Sequence, residues 1–252
     1  MLLHEHLENG ADKNPNFPFS EFEGNSLSYQ EANLLSNQLA NKLVSEGLEV
    51  GDRFAFLAKN CTEMAIMYYA ASKVGAVPVP LNYRLADQEW AYIINDSEAK
   101  LIIVKGNEYS DRINQISSEL KNVKKYISIS LDNSIEKFQD FYDWLSDSSN
   151  EKPTLKIHEN DDVYQMYTSG TTGHPKGAVL LQRNVAANIR QYLNSLTLPM
   201  PSRTLLVAPM YHAAAMINMC GCIAIGGTIV IQEDFIPQDV VDCLANEKIT
   251  HT

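Results

Sequence analysis

The sequence predicts an α/β fold, a mostly parallel sheet flanked by helices. Two observations predict it. From Ser28 onward, short apolar runs alternate with amphipathic segments of helical length. Strands separated by helices of that length imply right-handed crossovers, hence parallel neighbours and a sheet covered on both faces.

The elements follow in order. Ser28 and Glu31 form a capping box ahead of a helix whose Ala32, Leu35, Leu39 and Leu43 share one face and which Gly47 closes. Residues 53–58 (RFAFLA) form a strand. Asn60 is placed to cap the next helix, which carries Met64, Met67, Tyr68, Ala71 and Val74 on one side and ends at Gly75. Residues 76–81 (AVPVPL) are extended, and their two prolines place them at a sheet edge or a strand end. A short helix at 86–95, a buried strand at 101–104, a helix at 110–120, a strand at 126–129 and a helix at 134–145 continue the alternation.

Residues 146–156 (SDSSNEKPTLK) are polar, contain Pro153, and read as a linker. After them, strands at 163–168 and 178–181 bracket a tight polar loop. A helix follows with Val185, Ile189, Tyr192, Leu193 and Leu196 on one side, and Pro199 and Pro201 end it. A strand at 204–208, a buried helix at 212–225, a strand at 228–231 and a helix at 240–247 complete the chain. The last residues, KITHT, read as the start of another strand, so the chain is expected to be cut short. The expected organisation is an N-terminal helical segment (1–50) packing on a second lobe, a first α/β lobe (51–195) that includes the polar loop, and the start of an incomplete second lobe (196–252).

Composition narrows the function. With 31 acidic residues against 20 basic, the net charge is −11, which disfavours nucleic acid and anionic membrane as partners. Glu5 and Glu8 stand where a signal peptide would be apolar, and the longest apolar stretch, 213–225, is well short of the roughly 20 residues of a membrane span. Cys61, Cys220, Cys222 and Cys243 form no C-x-x-C pair and read as buried, reduced thiols of a cytoplasmic protein. His4 and His6 lie in a polar terminal segment without partners, expected to be frayed.

The chemistry concentrates in residues 167–177, YTSGTTGHPKG. Thr168, Ser169, Thr171 and Thr172 supply hydroxyls. Gly170, Gly173 and Gly177 permit the positive φ that turns several backbone N–H groups toward one point, and Lys176 adds a full charge. That set suits an anion with many oxygens, such as a nucleotide polyphosphate; the bland alternative is a flexible surface loop. The Walker spacing G-x-x-x-x-G-K-[ST] fails, and G-x-G-x-x-G is absent. His212 is the second candidate. It follows a strand and the turn at Pro209, on the side of a sheet where α/β proteins bind ligands, though a helix-capping or core role fits it too.

YTSGTTGHPKG resembles, position for position, the phosphate loop of the acyl-adenylate-forming superfamily, and acyl-CoA synthetases in particular. The likeness extends to residues 27–60, to GAVPVPLNYRL, to Asp161 and Asp162 where such enzymes often carry an acidic pair, and to APMYH at 208–212. LLQRN (180–184) departs from it, since the family commonly has Thr or Ser followed by His there. The resemblance implies the N-terminal part of a large domain and a two-step reaction. A carboxylic acid, fatty acyl by lean, and ATP give acyl-adenylate and pyrophosphate; a thiol, that of CoA, then captures the acyl group. It also implies that Thr168 to Lys176 close over the β- and γ-phosphates, that Thr168 is a Mg²⁺ ligand, and that His212 lies beside the carboxylate and the adenylate phosphate. His174 is expected to face solvent. Tyr211 lines the acyl pocket or merely packs. The adenine platform, ribose aspartate, Mg²⁺ glutamate and catalytic lysine of the family have no match here, so this chain alone is expected to be inactive. Two alternatives stay open: an adenylation domain that loads a carrier-protein thiol, and a naturally short nucleotide-binding protein.

Overall fold

The computed structural model describes residues 1–130, 134–168 and 173–252. In chain order the elements are α1 (Leu3–Lys13), β1 (Pro18–Phe22), β2 (Asn25–Ser28), α2 (Tyr29–Ser45), β3 (Arg53–Leu57), α3 (Thr62–Val74), β4 (Val77–Pro80), α4 (Asp87–Asp96), β5 (Leu101–Lys105) and α5 (Asn107–Ile116). Then come β6 (Lys125–Ile129), β7 (Phe138–Asp140), α6 (Phe141–Leu145), β8 (Asp162–Thr168), β9 (Lys176–Leu181), α7 (Gln182–Ser195), β10 (Arg203–Leu206), α8 (Ala213–Ala224), β11 (Thr228–Ile231) and α9 (Pro237–Asn246).

The expected parallel sheet is present. Its order is β4-β3-β5-β6-β7, every neighbouring pair parallel. The two-proline strand β4 takes an edge, because proline has no N–H to offer a second neighbour. One face of this sheet packs through Phe54, Phe56, Ile103 and Ile127 against α3 and its surroundings. The other face buries Ala55, Leu57, Ile102 and Val104 under α4 and α5 with Trp90 and Ile113. Strands wet on neither side need apolar residues at successive positions, as RFAFL and LIIVK supply.

A second sheet has the order β10-β11-β1-β2. Here β1 runs parallel to β11, with Ser20 opposite Ile229, and antiparallel to β2. Neither β1 nor β2 is evident in the local pattern, since PFSEF begins with a proline and its main partner lies some 200 residues away. At the far edge the last residues do add to the sheet, as KITHT suggests: Thr204 bridges His251 in parallel, and the Leu205 N–H donates to His251 O at 3.0 Å. Strands β8 and β9 form a separate antiparallel hairpin.

Four local expectations are corrected. The segment before Leu145 is not one helix: β7 joins the sheet edge and a single short helix follows. The cause is Asp140, whose carboxylate accepts the N–H groups of Tyr142 and Asp143 at 2.9 and 3.1 Å and so starts the helix at Phe141. The N-terminal segment is not frayed. Glu5 accepts the Leu2 N–H at 2.6 Å, Leu3 and Leu7 are buried, and His4 is buried with its Nδ1 3.0 Å from Ser72 Oγ.

Residues 146–156 are not a free linker, since Asn37 and Asn41 on α2 donate to the carbonyls of Asn150, Ser149 and Glu151 at 2.8–3.0 Å. Asn60 does not cap α3. Cys61 occupies that position, and the Asn60 side chain turns inward instead. The Ser28–Glu31 capping box and the left-handed Gly75 at the end of α3 are as expected.

Among the described residues no helix is long and apolar enough to cross a membrane.

Candidate functional site

The hairpin carries the candidate loop on its tip. Strand β8 is buried over Val163 to Met166, then turns outward so that Thr168 is exposed. In register, Thr168 stands opposite Lys176 and Tyr167 opposite Gly177. Directly paired residues of an antiparallel ladder share a face, so the Thr168 hydroxyl and the Lys176 ammonium are presented together. Among the described residues no hydrogen bond or ion pair engages the Lys176 ammonium. Ser169, Gly170, Thr171 and Thr172 lie outside the described residues.

Two of the loop glycines have different reasons. Gly173 has φ +104, a conformation that side chains rarely adopt. Gly177 does not need positive φ; a Cβ there would collide with the Gln165 amide and the Tyr167 ring. That close approach serves a polar chain. Arg53 pairs with Asp162 at 3.2 Å and donates to Gln165; Gln165 donates to the Tyr167 hydroxyl at 3.0 Å; Tyr167 donates to Asp96 on α4 at 2.6 Å. Burial together with the neighbouring Asp96 carboxylate keeps the Tyr167 phenol well above its ordinary range, and hence a donor. The Asp161–Asp162 pair therefore sits at the base of the hairpin, a strand's length from Thr168. His174 is exposed as expected, yet it stacks on Tyr92 of α4, centroids 4.9 Å apart and planes 22° apart.

The second wall comes from the turn after β10. His212 is the N-cap residue of α8, in extended conformation, with its ring 4.3 Å from that of Tyr211. Tyr211 packs edge-on against Tyr83, 5.6 Å between centroids. Tyr83 is held in turn by Asp234, which accepts its hydroxyl at 3.2 Å while ion-pairing Lys59 at 2.6 Å. Partial burial, then the nearby Arg84 guanidinium, lowers the His212 pKa below its ordinary value, so the ring is neutral at pH 7.

These walls enclose a cavity of about 320 Å³. Its lining is Pro80 at the end of β4, with Asn82 and Leu85 after it; Glu89 and Ile93 of α4; Tyr167, Thr168 and Pro175 of the hairpin; and Tyr211 with His212. The structure thus brings Thr168 and His212, 44 positions apart in sequence, to one cavity, with Lys176 across the ladder from Thr168. Sequence reasoning missed Asn82, Glu89, Tyr92 and Asp96; the only local signal for any of them is their place on the face of α4 or at its entry. The departure at LLQRN has a structural reason: the buried Gln182 side chain accepts the Leu3 N–H at 3.1 Å and donates to Ser72 at 2.9 Å, tying α7 to α1 and α3. Among the described residues no group of three His, Cys, Asp or Glu side chains could hold a metal ion.

Known proteins share this fold. The match to the AMP-binding enzymes runs over residues 7–252. The chain is 30% identical over 225 residues to the long-chain-fatty-acid–CoA ligase FadD13 of Mycobacterium tuberculosis, covering 88% of this chain and 43% of that one. It is 30% identical over 228 residues to a feruloyl-CoA synthase of an Amycolatopsis species, with 90% and 43% covered. Its fold superposes on an inhibitor-bound crystal structure of the N-terminal domain of FACL13 of M. tuberculosis with a TM-score of 0.88 at 27% identity, covering 98% of this chain and 61% of that one. The chain spans less than half the length of these curated relatives. The match over residues 7–252 decides the assignment: the chain belongs to the AMP-binding enzyme family.

Proposed function

We propose that this chain carries the phosphate-binding part of an ATP-dependent acid–thiol ligase of the acyl-CoA synthetase kind. The observation that carries the reading is the convergence of Thr168 and His212 on one cavity, with Lys176 opposite Thr168 on the ladder and its ammonium without a partner among the described residues. In the first half-reaction a carboxylate oxygen attacks the α-phosphorus of ATP. The bond to the bridging oxygen breaks, and pyrophosphate leaves with that electron pair. Little covalent chemistry falls to the protein in such a displacement, so positioning and neutralisation of the leaving group do the work. Lys176 and the loop hydroxyls meet the β- and γ-phosphates. His212, neutral at pH 7, can donate one hydrogen bond toward the carboxylate or the adenylate phosphate without adding a charge that must be desolvated. In the second half-reaction the thiol of CoA attacks the acyl carbon and AMP departs.

Mg²⁺ is the expected companion of the phosphates. The exposed Thr168 hydroxyl suits it as one ligand, with phosphate oxygens and a carboxylate from outside the described cluster completing the set. The acid is read as a fatty acid, and the place of work as the cytoplasm.

The test is acyl-dependent ATP–pyrophosphate exchange, run on this 252-residue chain and on the protein made from its complete reading frame. The longer protein is expected to exchange with a fatty acid, and Lys176→Ala in it to slow exchange by ~10²–10³. The chain alone is expected to give none. Exchange that Lys176→Ala leaves untouched would overturn the reading.

A further inference from the structure

Asn60 is 1% exposed, and a buried primary amide must find partners for two donors and an acceptor. It finds all of them in the other sheet. Its Nδ2 donates to the carbonyls of Ala208 and Gln232, both at 3.1 Å, just past the ends of β10 and β11. Its Oδ1 accepts the Met210 N–H at 2.7 Å. Reversing the amide would put donor against donor and acceptor against two carbonyls, so the orientation follows from the network. The carbonyl of the same Met210 accepts the Tyr68 hydroxyl of α3 at 3.3 Å. Asn60 at the β3–α3 corner and Tyr68 within α3 thus grip both backbone groups of the residue two positions before His212. One more bond, from the His212 N–H to Pro209 O at 2.9 Å, closes the turn on which His212 stands.

We propose that Asn60, with Tyr68, is a positioning residue that holds His212 at the mouth of the cavity. The first sheet supplies β4 and α4 to that cavity, and the second supplies the His212 turn. A rigid link between the two walls fixes their separation. Asn60 touches no reacting atom in this scheme and acts only through the turn. The inference rests on reading His212 as a site residue, and its test separates the two ideas.

The test compares Asn60→Ala and Tyr68→Phe with Ser72→Ala, which removes a buried hydroxyl of the α1–α3–α7 contact instead. Three measurements are made: hydrogen exchange at the Met210 amide, the ring resonances of His212, and kcat against KM for acyl-dependent exchange in the complete protein. Both positioning variants are expected to move the His212 resonances. Asn60→Ala is expected to speed Met210 exchange by about tenfold or more, and to lower kcat by about tenfold with KM for ATP within about twofold. Ser72→Ala is expected to leave Met210 and His212 as they are. Should Asn60→Ala fail to fold, Tyr68→Phe, which loses one oxygen, carries the test through the His212 resonances and kcat. Unchanged His212 resonances in the positioning variants, or the same change in Ser72→Ala, overturns the proposal. Displaced resonances with undiminished pyrophosphate exchange would uphold the positioning of the turn and remove His212 from the reaction.

Discussion

The five-stranded sheet and the β8–β9 hairpin are built on opposite terms. Strand β5 is buried at four successive positions, and Phe54, Phe56 and Ile102 are fully enclosed. Strand β9 buries none of its six residues fully, and Val179 on it is 40% exposed. The sheet is held by apolar area on two faces. The hairpin tip is held by a few polar and ring contacts to α4, namely Tyr167 to Asp96 and His174 on Tyr92. The contrast teaches where each kind of contact is useful. Apolar packing fixes the walls of the cavity, whereas the hairpin tip, proposed here to meet a charged ligand, holds the Lys176 ammonium without a partner among the described residues.

The largest effect expected from that contrast lies in the sheet. Phe56 touches the Phe54 and Tyr68 rings with no exposure, so Phe56→Ala should cost ~3–5 kcal/mol in denaturant unfolding. A loss under ~1 kcal/mol would erase the distinction between the two regions. The helical cover beneath the sheet should behave as part of it. Burial lowers the pKa of His4 and, on the same helix, drives that of His6 to about 4. A depressed imidazole pKa means that the unfolded chain takes up protons first. Stability is then intact above about pH 6.5 and is lost as the pH falls toward about 4. Melting temperatures at pH 7 and pH 5 should show the fall, and His6→Asn should flatten it.

A smaller effect belongs to the hairpin. Tyr167→Phe leaves the Asp96 and Gln165 groups without their shared partner, and should cost ~1 kcal/mol with faster amide exchange confined to β8 and β9. Global loss of protection would mean that the hairpin is as deeply keyed as the sheet. The smallest effect on stability, within ~0.5 kcal/mol, is expected for Lys176→Ala, the same change expected to be most damaging to pyrophosphate exchange. A variant that lowered stability and exchange in proportion would contradict the separation of roles.

The parts legible in the sequence are those whose signal is local. Runs such as LIIV announce buried strands, and Ser28 with Glu31 announces a helix start. What was not legible depends on partners far along the chain. LHEHLENGADK is mostly polar, and its buried face depends on distant partners, among them Tyr29, Ser72 and Gln182. PFSEF is a strand because β11 lies beside it. Asn60 reads as a cap by residue type, whereas its real partner, Met210, is 150 positions away and no local pattern points to it. Asp140, by contrast, shows that a short polar side chain can end one element and start another within a stretch whose apolar spacing suggests a single helix.

The pairing of β1 with β11 has a consequence for how the chain is made. Ser20 meets Ile229 across the ladder, so a nascent chain growing at about 5–20 residues per second leaves β1 without its parallel neighbour for roughly 10–40 s. Strands β3, β4, β5 and β6 emerge within that interval and can pair among themselves. Closing so long a loop comes late and contributes to slow folding, because its entropy is lost before the pairing returns anything. During the wait the β1–β2 ribbon offers an unpaired edge, the kind of surface on which two growing chains can join. Glu21, which in the finished protein binds Arg203 through both carboxylate oxygens at 2.7 and 2.8 Å, stands on that edge as an uncompensated charge until Arg203 is made. The residue that latches the completed sheet thereby also repels a second copy of itself while the sheet is still being synthesised.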